Sequence, residues 1–380
     1  MQFTVNNNNH KNKLAIITPG FYEQAIGGTE YQTYLFALAA KQFGYDVHYI
    51  YIALDINDKL PNKLKINLYP VKSPKIRKYL NFLGKTAITC LPQTWSLLKK
   101  IQPDIVYCRS GVFQAALGAY YSSKFNKKSI WQAASIVDVI PIKNIYLFKK
   151  PLTYIDKKFL EYGIKHSSIV LSQTIEQSTL LKKNYKKDSS IFRNFIPKRK
   201  DFIEKNNEFT VVWIGNIKPL KQPELFIQIA KSLSQYTEIK FIMIGNPAKN
   251  NYQKYIYNLL NEQTNIIYLK HQPINNVNKI LSSAHLLIST SLYEGFSNTF
   301  LQAWLHQVPV ISLNVNPDNI LTKYKIGIQS KSLEKIKKDI LMFYNNREKL
   351  NSYGQRGANY VRKYHLYEEN NVLVHELLKK

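Results

Sequence analysis

Leu286-Leu-Ile-Ser-Thr-Ser-Leu-Tyr-Glu-Gly-Phe-Ser-Asn-Thr-Phe-Leu-Gln-Ala-Trp304, followed by Val308-Pro-Val-Ile311, is the stretch whose reading decides the fold. Leu286–Ile288 is a short apolar run bounded by polar residues, which predicts a buried strand. Glu294-Gly295 breaks the chain. Ser297 then stands as an N-cap for a helix that places Phe300, Leu301 and Trp304 on one face. Val308–Ile311 reads as the next strand. Strand, loop, helix, strand puts a carboxylate at the carboxyl end of a strand and beside a helix N-terminus. Open α/β sheets bind ligands there, and a helix N-terminus favours anions such as phosphate.

The same grammar runs outward in both directions. Lys13–Thr18 is a first strand, Gly27-Gly-Thr-Glu30 a glycine loop, Tyr31–Phe43 a helix closed by Gly44, and Val47–Ile52 a second strand. This is a βαβ opening. Thr29 is a candidate cap, and Gly27 and Gly28 either let the backbone approach a phosphate or simply make a tight turn. Strand-like runs return at 104–108, 129–131 and 169–171, with helical stretches at 112–122 and 151–166 between them. After a linker near 197–207 the pattern restarts: strand Phe209–Ile214, loop Gly215-Asn-Ile-Lys-Pro-Leu-Lys221, and a helix opening at Pro223, where proline is tolerated. Further strands follow at 240–244 and 266–269, and an amphipathic helix is expected from His365 to Lys380. The chain thus divides into 1–200, 201–362 and a C-terminal helix at 363–380.

Composition narrows the class. The 380 residues are too many for one ordinary domain, and 45% are hydrophobic. No run of about 18 apolar residues predicts a membrane span. Residues 1–13 lack the apolar core of a signal peptide, and Cys90 and Cys108 have no metal-ligand spacing, which fits a reducing, cytosolic setting. Net charge is +28, of which +20 lies in residues 1–200. Between Lys59 and Pro103 there are ten basic residues and no acidic one, interleaved with Tyr69, Tyr79, Leu80, Phe82, Leu83, Trp95 and Leu97. A second cluster runs from Lys182 to Lys200. Such patches suit anionic surfaces, membrane or nucleic acid; the alternative is a Lys/Asn-rich bias with solvated lysines. No recognised nucleic-acid motif is present, and nucleic acid is not an expected partner.

Lys221 precedes a helix and can neutralise a diphosphate together with that helix dipole. Glu294 can accept hydrogen bonds from sugar hydroxyls, and Gly295 lets the backbone come close. Gln302 lies eight positions on, about two turns along the same side. His271, His285, His306 and His365 are scattered and read as structural. No Gly-x-Ser-x-Gly elbow, phosphate-loop lysine motif or Gly-x-Gly-x-x-Gly fingerprint occurs, which argues against hydrolase, NTPase and dehydrogenase readings.

Glu294-Gly-Phe-Ser-Asn-Thr-Phe-Leu-Gln-Ala-Trp304 with Val308-Pro-Val310 resembles the donor-site signature of the family-4 retaining glycosyltransferases, the group 1 glycosyl transferases. Gly215-Asn-Ile-Lys-Pro-Leu-Lys221 is similar to that family's phosphate loop and Gly27-Gly-Thr-Glu30 to its N-terminal glycine loop. Ser172-Gln-Thr-Ile-Glu-Gln177 with Arg193-Asn194 also looks like a family element. The resemblance implies an α/β GT-B fold, with two Rossmann-like domains facing each other across a cleft and a C-terminal helix crossing back to the first. It implies transfer of a sugar from a nucleotide diphosphate sugar to a hydroxyl of a glycan or lipid-linked acceptor, with retention and without metal or other cofactor, in cell-surface polysaccharide or glycolipid biosynthesis. Lys221 would bind the diphosphate and Glu294 the donor sugar. Gly295, Phe296, Ser297 and Asn298 would hold sugar and phosphate, and Gly27, Gly28, Gly215, Asn216 and Lys218 would line the diphosphate. The chain departs from the family at three places. Asn216 replaces an arginine, Gln302 replaces a second glutamate that binds ribose, and Trp131–Asp138 lacks the usual histidine, leaving Asp138 or Ser135 on that ground. Binding of a nucleotide sugar without turnover is the alternative these departures raise. The expected setting is cytoplasmic, peripheral at the inner face of the membrane.

Overall fold

The computed structural model describes residues 11–22, 27–53, 66–72, 87–142, 149–198, 204–245, 251–262 and 265–380. Parts of the basic block, 59–65 and 73–86, lie outside the described residues, as do 199–203 of the expected linker. Two compact units result: Met1–Arg193 with Asn370–Lys380, and Asn194–Glu369.

The first unit is built on a seven-stranded parallel sheet of order β3-β2-β1-β4-β5-β6-β7. Its strands are β1 (Lys13–Thr18), β2 (Asp46–Ala53), β3 (Asn67–Lys72), β4 (Ile105–Arg109), β5 (Lys128–Gln132), β6 (Ile169–Ser172) and β7 (Ser190–Ile191). Helices α1 (Gly28–Gln42), α2 (Leu91–Ile101), α3 (Phe113–Lys124), α4 (Pro151–His166) and α5 (Ile175–Tyr185) connect them. β1 is buried from Leu14 to Thr18 because helices cover both faces of a parallel sheet. The strand β3 emerges inside the basic block, where no alternation announced it. Among the described residues it pairs only with β2, and its Pro70 is tolerated on that edge, where no ladder donor is needed. Helix α1 begins at Gly28, three residues before the expected start, so Gly27 and not Thr29 holds the cap position. Gly44, at φ +86, makes the left-handed exit that the sequence assigned to it.

The second unit carries a six-stranded parallel sheet of order β10-β9-β8-β11-β12-β13. Its elements run β8 (Phe209–Ile214), α6 (Pro223–Ser232), β9 (Ile239–Ile244), α7 (Asn251–Asn261), β10 (Ile266–Leu269), α8 (Ile274–Ser283), β11 (Leu286–Ser289), α9 (Asn298–Leu305), β12 (Val310–Ser312), α10 (Ile320–Lys323), β13 (Gly327–Gln329), α11 (Leu333–Asn345) and α12 (Arg347–Tyr364). Phe209, Val211 and Trp213 enter one apolar layer with Phe226 and Phe241, and Val212 enters the other with Leu287, Trp304 and Val310. Strand β12 starts at Val310 and not at Val308. Helix α9 closes with Val308 N–H donating to Ala303 O at 2.9 Å, Gln307 adopts φ +57, and Pro309 follows.

The first unit ends at Arg193, seven residues before position 200. Asn194 and Ile196 are already tied into the second: Ile196 N–H donates to His365 O at 2.9 Å, and Tyr367 N–H to Ile196 O at 2.9 Å. That exchange also interrupts the helix expected over 365–380. Helix α12 stops at Tyr364, a short α13 (Tyr367–Asn370) follows, and α14 (Val372–Lys379) is separate. In the first unit α14 buries Val374, Leu377 and Leu378, His375 stacks on Phe43 at 4.7 Å between centroids, and Lys128 Nζ donates to Leu378 O at 3.1 Å.

Candidate active site

In the second sheet the strand order reverses between β8 and β11, and the loops leaving these two strands hold the sequence-predicted groups. Gly215 N–H continues the ladder to Ile244 O at 3.0 Å. A Cβ on Gly245 would lie 2.2 Å from Gly215 O, so the two strand exits approach more closely than a side chain permits. Buried Ile217 anchors the loop, Lys218 stays exposed, and Asn216 is half-buried. Pro219–Lys221 forms a 3-10 turn, with Lys221 N–H donating to Lys218 O at 2.9 Å. Gln222 turns through φ +46 before Pro223 opens α6.

Buried Thr290 joins the two loops. It receives the Trp213 indole N–H at 2.9 Å and donates its hydroxyl to Lys221 O at 2.6 Å. Leu292 N–H donates to Leu220 O at 3.0 Å. These bonds fix the backbone on either side of the central ion pair, Lys221 Nζ with Glu294 Oε1, whose side chains are 26% and 16% exposed. Ser291 Oγ donates to the same carboxylate oxygen at 2.9 Å. A cation and an acid thus share the carboxyl edge of the sheet at its switch point.

Gly295, Phe296 and Ser297 are buried and lead into α9. Ser297 holds the N-cap position expected of it, but its hydroxyl pairs with Thr299 Oγ1 at 2.8 Å and makes no bond to the first-turn N–H groups. Asn298 is held from 104 residues away: Asn194 Nδ2 donates to Asn298 Oδ1 at 2.9 Å and to Phe296 O at 3.1 Å. His365 supports Asn194, its Nδ1 at 2.8 Å from Asn194 O and its ring 5.1 Å from that of Phe296. With a carbonyl as partner, Nδ1 carries the proton. Gln302 sits on α9, 9% exposed. All ten predicted groups of the second half, Gly215, Asn216, Lys218, Lys221, Glu294, Gly295, Phe296, Ser297, Asn298 and Gln302, therefore lie on the two loops or on α9.

The first unit holds the other three. Gly27 is extended at φ −145, and a Cβ there would lie 2.2 Å from Glu30 Oε2, so the carboxylate of Glu30 folds back over the glycine. Asp138 lies in the turn after β5. Its carboxylate accepts Ala134 N–H at 2.9 Å, Ser135 N–H at 3.0 Å and Ser110 Oγ at 3.1 Å, while Lys157 Nζ donates to its carbonyl at 2.9 Å. Ser135 caps the same turn. Asp138 therefore ties the exits of β4 and β5 together. One residue that the sequence did not single out is Arg109, 3% exposed at the end of β4. Burial pushes its guanidinium down, and Tyr107, Asp138 and Glu30 oppose that shift. An isolated arginine in an apolar strand carries no motif that would have flagged it.

Among the described residues no group of three His, Cys, Asp or Glu side chains comes together as a metal site, and no helix is long and apolar enough to cross a membrane. Residues 194–360 match the model of the glycosyl transferases group 1. A UDP-Gal:alpha-D-GlcNAc-diphosphoundecaprenol alpha-1,3-galactosyltransferase of Escherichia coli is 28% identical over 123 residues, 31% of this chain; the match spans 31% of that relative's length. Sucrose-phosphate synthase of Thermosynechococcus elongatus superposes with a TM-score of 0.76 at 13% identity, over 97% of this chain and 98% of its own. HepE of Anabaena, in complex with UDP and glucose, superposes at 0.74 and 12% identity, over 97% and 99%. Residues 194–360 are therefore similar to the group 1 glycosyl transferases, and the chain as a whole has the GT-B fold.

Proposed function

We propose that this protein is a retaining glycosyltransferase. It moves a sugar from a nucleotide diphosphate sugar to a hydroxyl of a glycan or lipid-linked acceptor at the inner face of a membrane, within cell-surface polysaccharide or glycolipid synthesis. The observation that carries this reading is the Lys221–Glu294 pair, held at the switch point beside the N-terminus of α9. In the reaction the bond from the anomeric carbon to the leaving phosphate oxygen breaks. A bond to the acceptor oxygen forms on the same face, and the acceptor proton passes to the leaving phosphate. Lys221 and the first turn of α9 neutralise the charge that develops on the diphosphate, a type of contribution that can supply 10²–10³-fold of rate. Glu294 leaves its ion pair to accept hydrogen bonds from the sugar hydroxyls. In the first unit, Asp138 fixes the turn that stands where the resembling family has its histidine.

UDP sugars head the donor panel, because UDP is what the HepE structure holds. The test is transfer or slow hydrolysis over UDP-, GDP- and ADP-sugars. Lys221→Ala and Glu294→Ala should each lower the rate about 10²-fold or more. Unchanged rates in both variants would remove the site assignment. Donor binding without turnover over the whole panel, in the wild type, would favour the non-catalytic reading that Asn216 and Gln302 suggest.

A further inference from the structure

Helices α2 and α3 of the first unit contain no aspartate or glutamate. Along their shared surface stands an aromatic cluster. The Trp95 ring centroid is 5.6 Å from that of Tyr120 and 6.1 Å from that of Phe125, and Phe125 is 4.8 Å from buried Tyr121. Tyr120 is 47% and Phe125 42% exposed. Phe125 is displayed at the end of α3 by a tight turn through Asn126 at φ +52. Ammonium groups surround the rings: Lys99 Nζ lies 6.0 Å from the Trp95 centroid, and Lys124 Nζ lies 5.9 Å from Trp95, 5.8 Å from Tyr120 and 6.0 Å from Phe125. Lys100 is exposed beside them. The nearest acid in sequence, Asp104, is paired with Lys127 at 2.7 Å.

We infer that this α2–α3 surface docks the protein on an anionic lipid bilayer. Two observations select that occupant. First, charge: three exposed lysines with no acid on either helix complement a negative headgroup layer, within a chain of net charge +28. Second, ring geometry: Trp95, Tyr120 and Phe125 pack on one another and lie under lysines. An ammonium group within about 6 Å of each ring centroid competes with a sugar ring or a nucleobase for those rings. Exposed aromatic surface beside exposed ammonium groups is the combination that settles at the boundary between headgroups and acyl chains. Of the basic block 59–103 this surface takes in only Leu91–Ile101; α3 lies beyond the block. It concerns where the proposed enzyme works and not its donor chemistry, so the two can fail separately.

The experiment is co-sedimentation of the full-length protein with vesicles of phosphatidylcholine containing phosphatidylglycerol, against vesicles of phosphatidylcholine alone. Parallel titrations use a soluble neutral oligosaccharide and single-stranded DNA. The wild type should bind the anionic vesicles, lose that binding as salt is raised, and prefer them to the other three ligands. Lys99→Gln/Lys124→Gln should weaken vesicle binding roughly 20- to 30-fold, at about fivefold per neutralised lysine near the surface. Tyr120→Ser/Phe125→Ser, both changes at exposed positions, should weaken it further while the thermal midpoint and nucleotide-sugar binding stay as in the wild type. Equal sedimentation with neutral and anionic vesicles, wild-type binding by the lysine variant, or preference for the oligosaccharide or DNA would each overturn the assignment.

Discussion

Asn194 shows what one amide can do for a binding loop. It donates to Phe296 O and Asn298 Oδ1, the residues just ahead of and at the start of α9, and is itself held by His365. Replacing it by alanine leaves buried polar groups without their donor, at about 1–3 kcal/mol. Asn194→Ala should therefore raise the donor Kd about tenfold, and His365→Phe should do so to a smaller extent, as read by calorimetric titration with a nucleotide sugar. A drop in the thermal midpoint with donor affinity unchanged would make both residues merely structural. Gln302 is the complementary case. At 9% exposure it sits where the resembling family has a carboxylate. Gln302→Glu buries a charge, so the ligand-free protein should melt earlier. With donor present the new acid gains charged hydrogen bonds worth about 1.5–3 kcal/mol against roughly 1 for the amide. The expected signature in a thermal-shift assay is a lower starting midpoint and a larger donor-induced rise.

At the scale of elements, the sheet of the second unit is locked at the amino end of β11 by His285. Its Nδ1 accepts Thr210 N–H at 3.1 Å, which requires the neutral ring. Burial pushes the imidazole down to about 4, with Arg347 and Lys205 adding to the shift. The unfolded chain takes up this proton near pH 6.5 and the folded chain only near 4, so stability falls as pH drops through that window and rises again as it is reversed. Urea titrations at several pH values between 4 and 7 should show this slope, and His285→Asn should flatten it. The strands and helices that sequence patterning located share one property: each is a closed local pattern, an apolar run or a 3.6 periodicity between breakers, as in Phe209–Ile214 and Pro151–His166. The element it missed, β3, is short, half-exposed and contains Pro70, and it exists because β2 offers it an edge. Helix boundaries moved for the same reason. The helix expected over 365–380 is broken where His365 and Leu366 turn aside to meet Asn194 and Ile196.

For the whole molecule, the chain closes the first unit with its last eleven residues. Val374, Leu377 and Leu378 are buried there, and Asn371 Nδ2 reaches Gln42 Oε1 at 3.0 Å. Deleting residues 371–380 uncovers that apolar surface. At about 25 cal/mol per Å² the loss is several kcal/mol. The truncated protein should show an early thermal transition, and limited proteolysis below it should cut first within residues 11–193. Cleavage spread evenly over both units would contradict the division.

The doubly wound class, the restart near position 209 and the two loops that carry the candidate site were all legible in the amino-acid order. Strand–glycine–helix grammar and the Glu294 segment are local, and local patterns survive in a linear string. The tertiary structure decided which groups meet: Trp213 through Thr290 to Lys221, Lys221 with Glu294, Asn194 with Asn298, and Arg109 beside Asp138. Those contacts join residues tens to a hundred positions apart. Their energy depends on burial and distance, which no single stretch of sequence contains and which only the packed sheets supply.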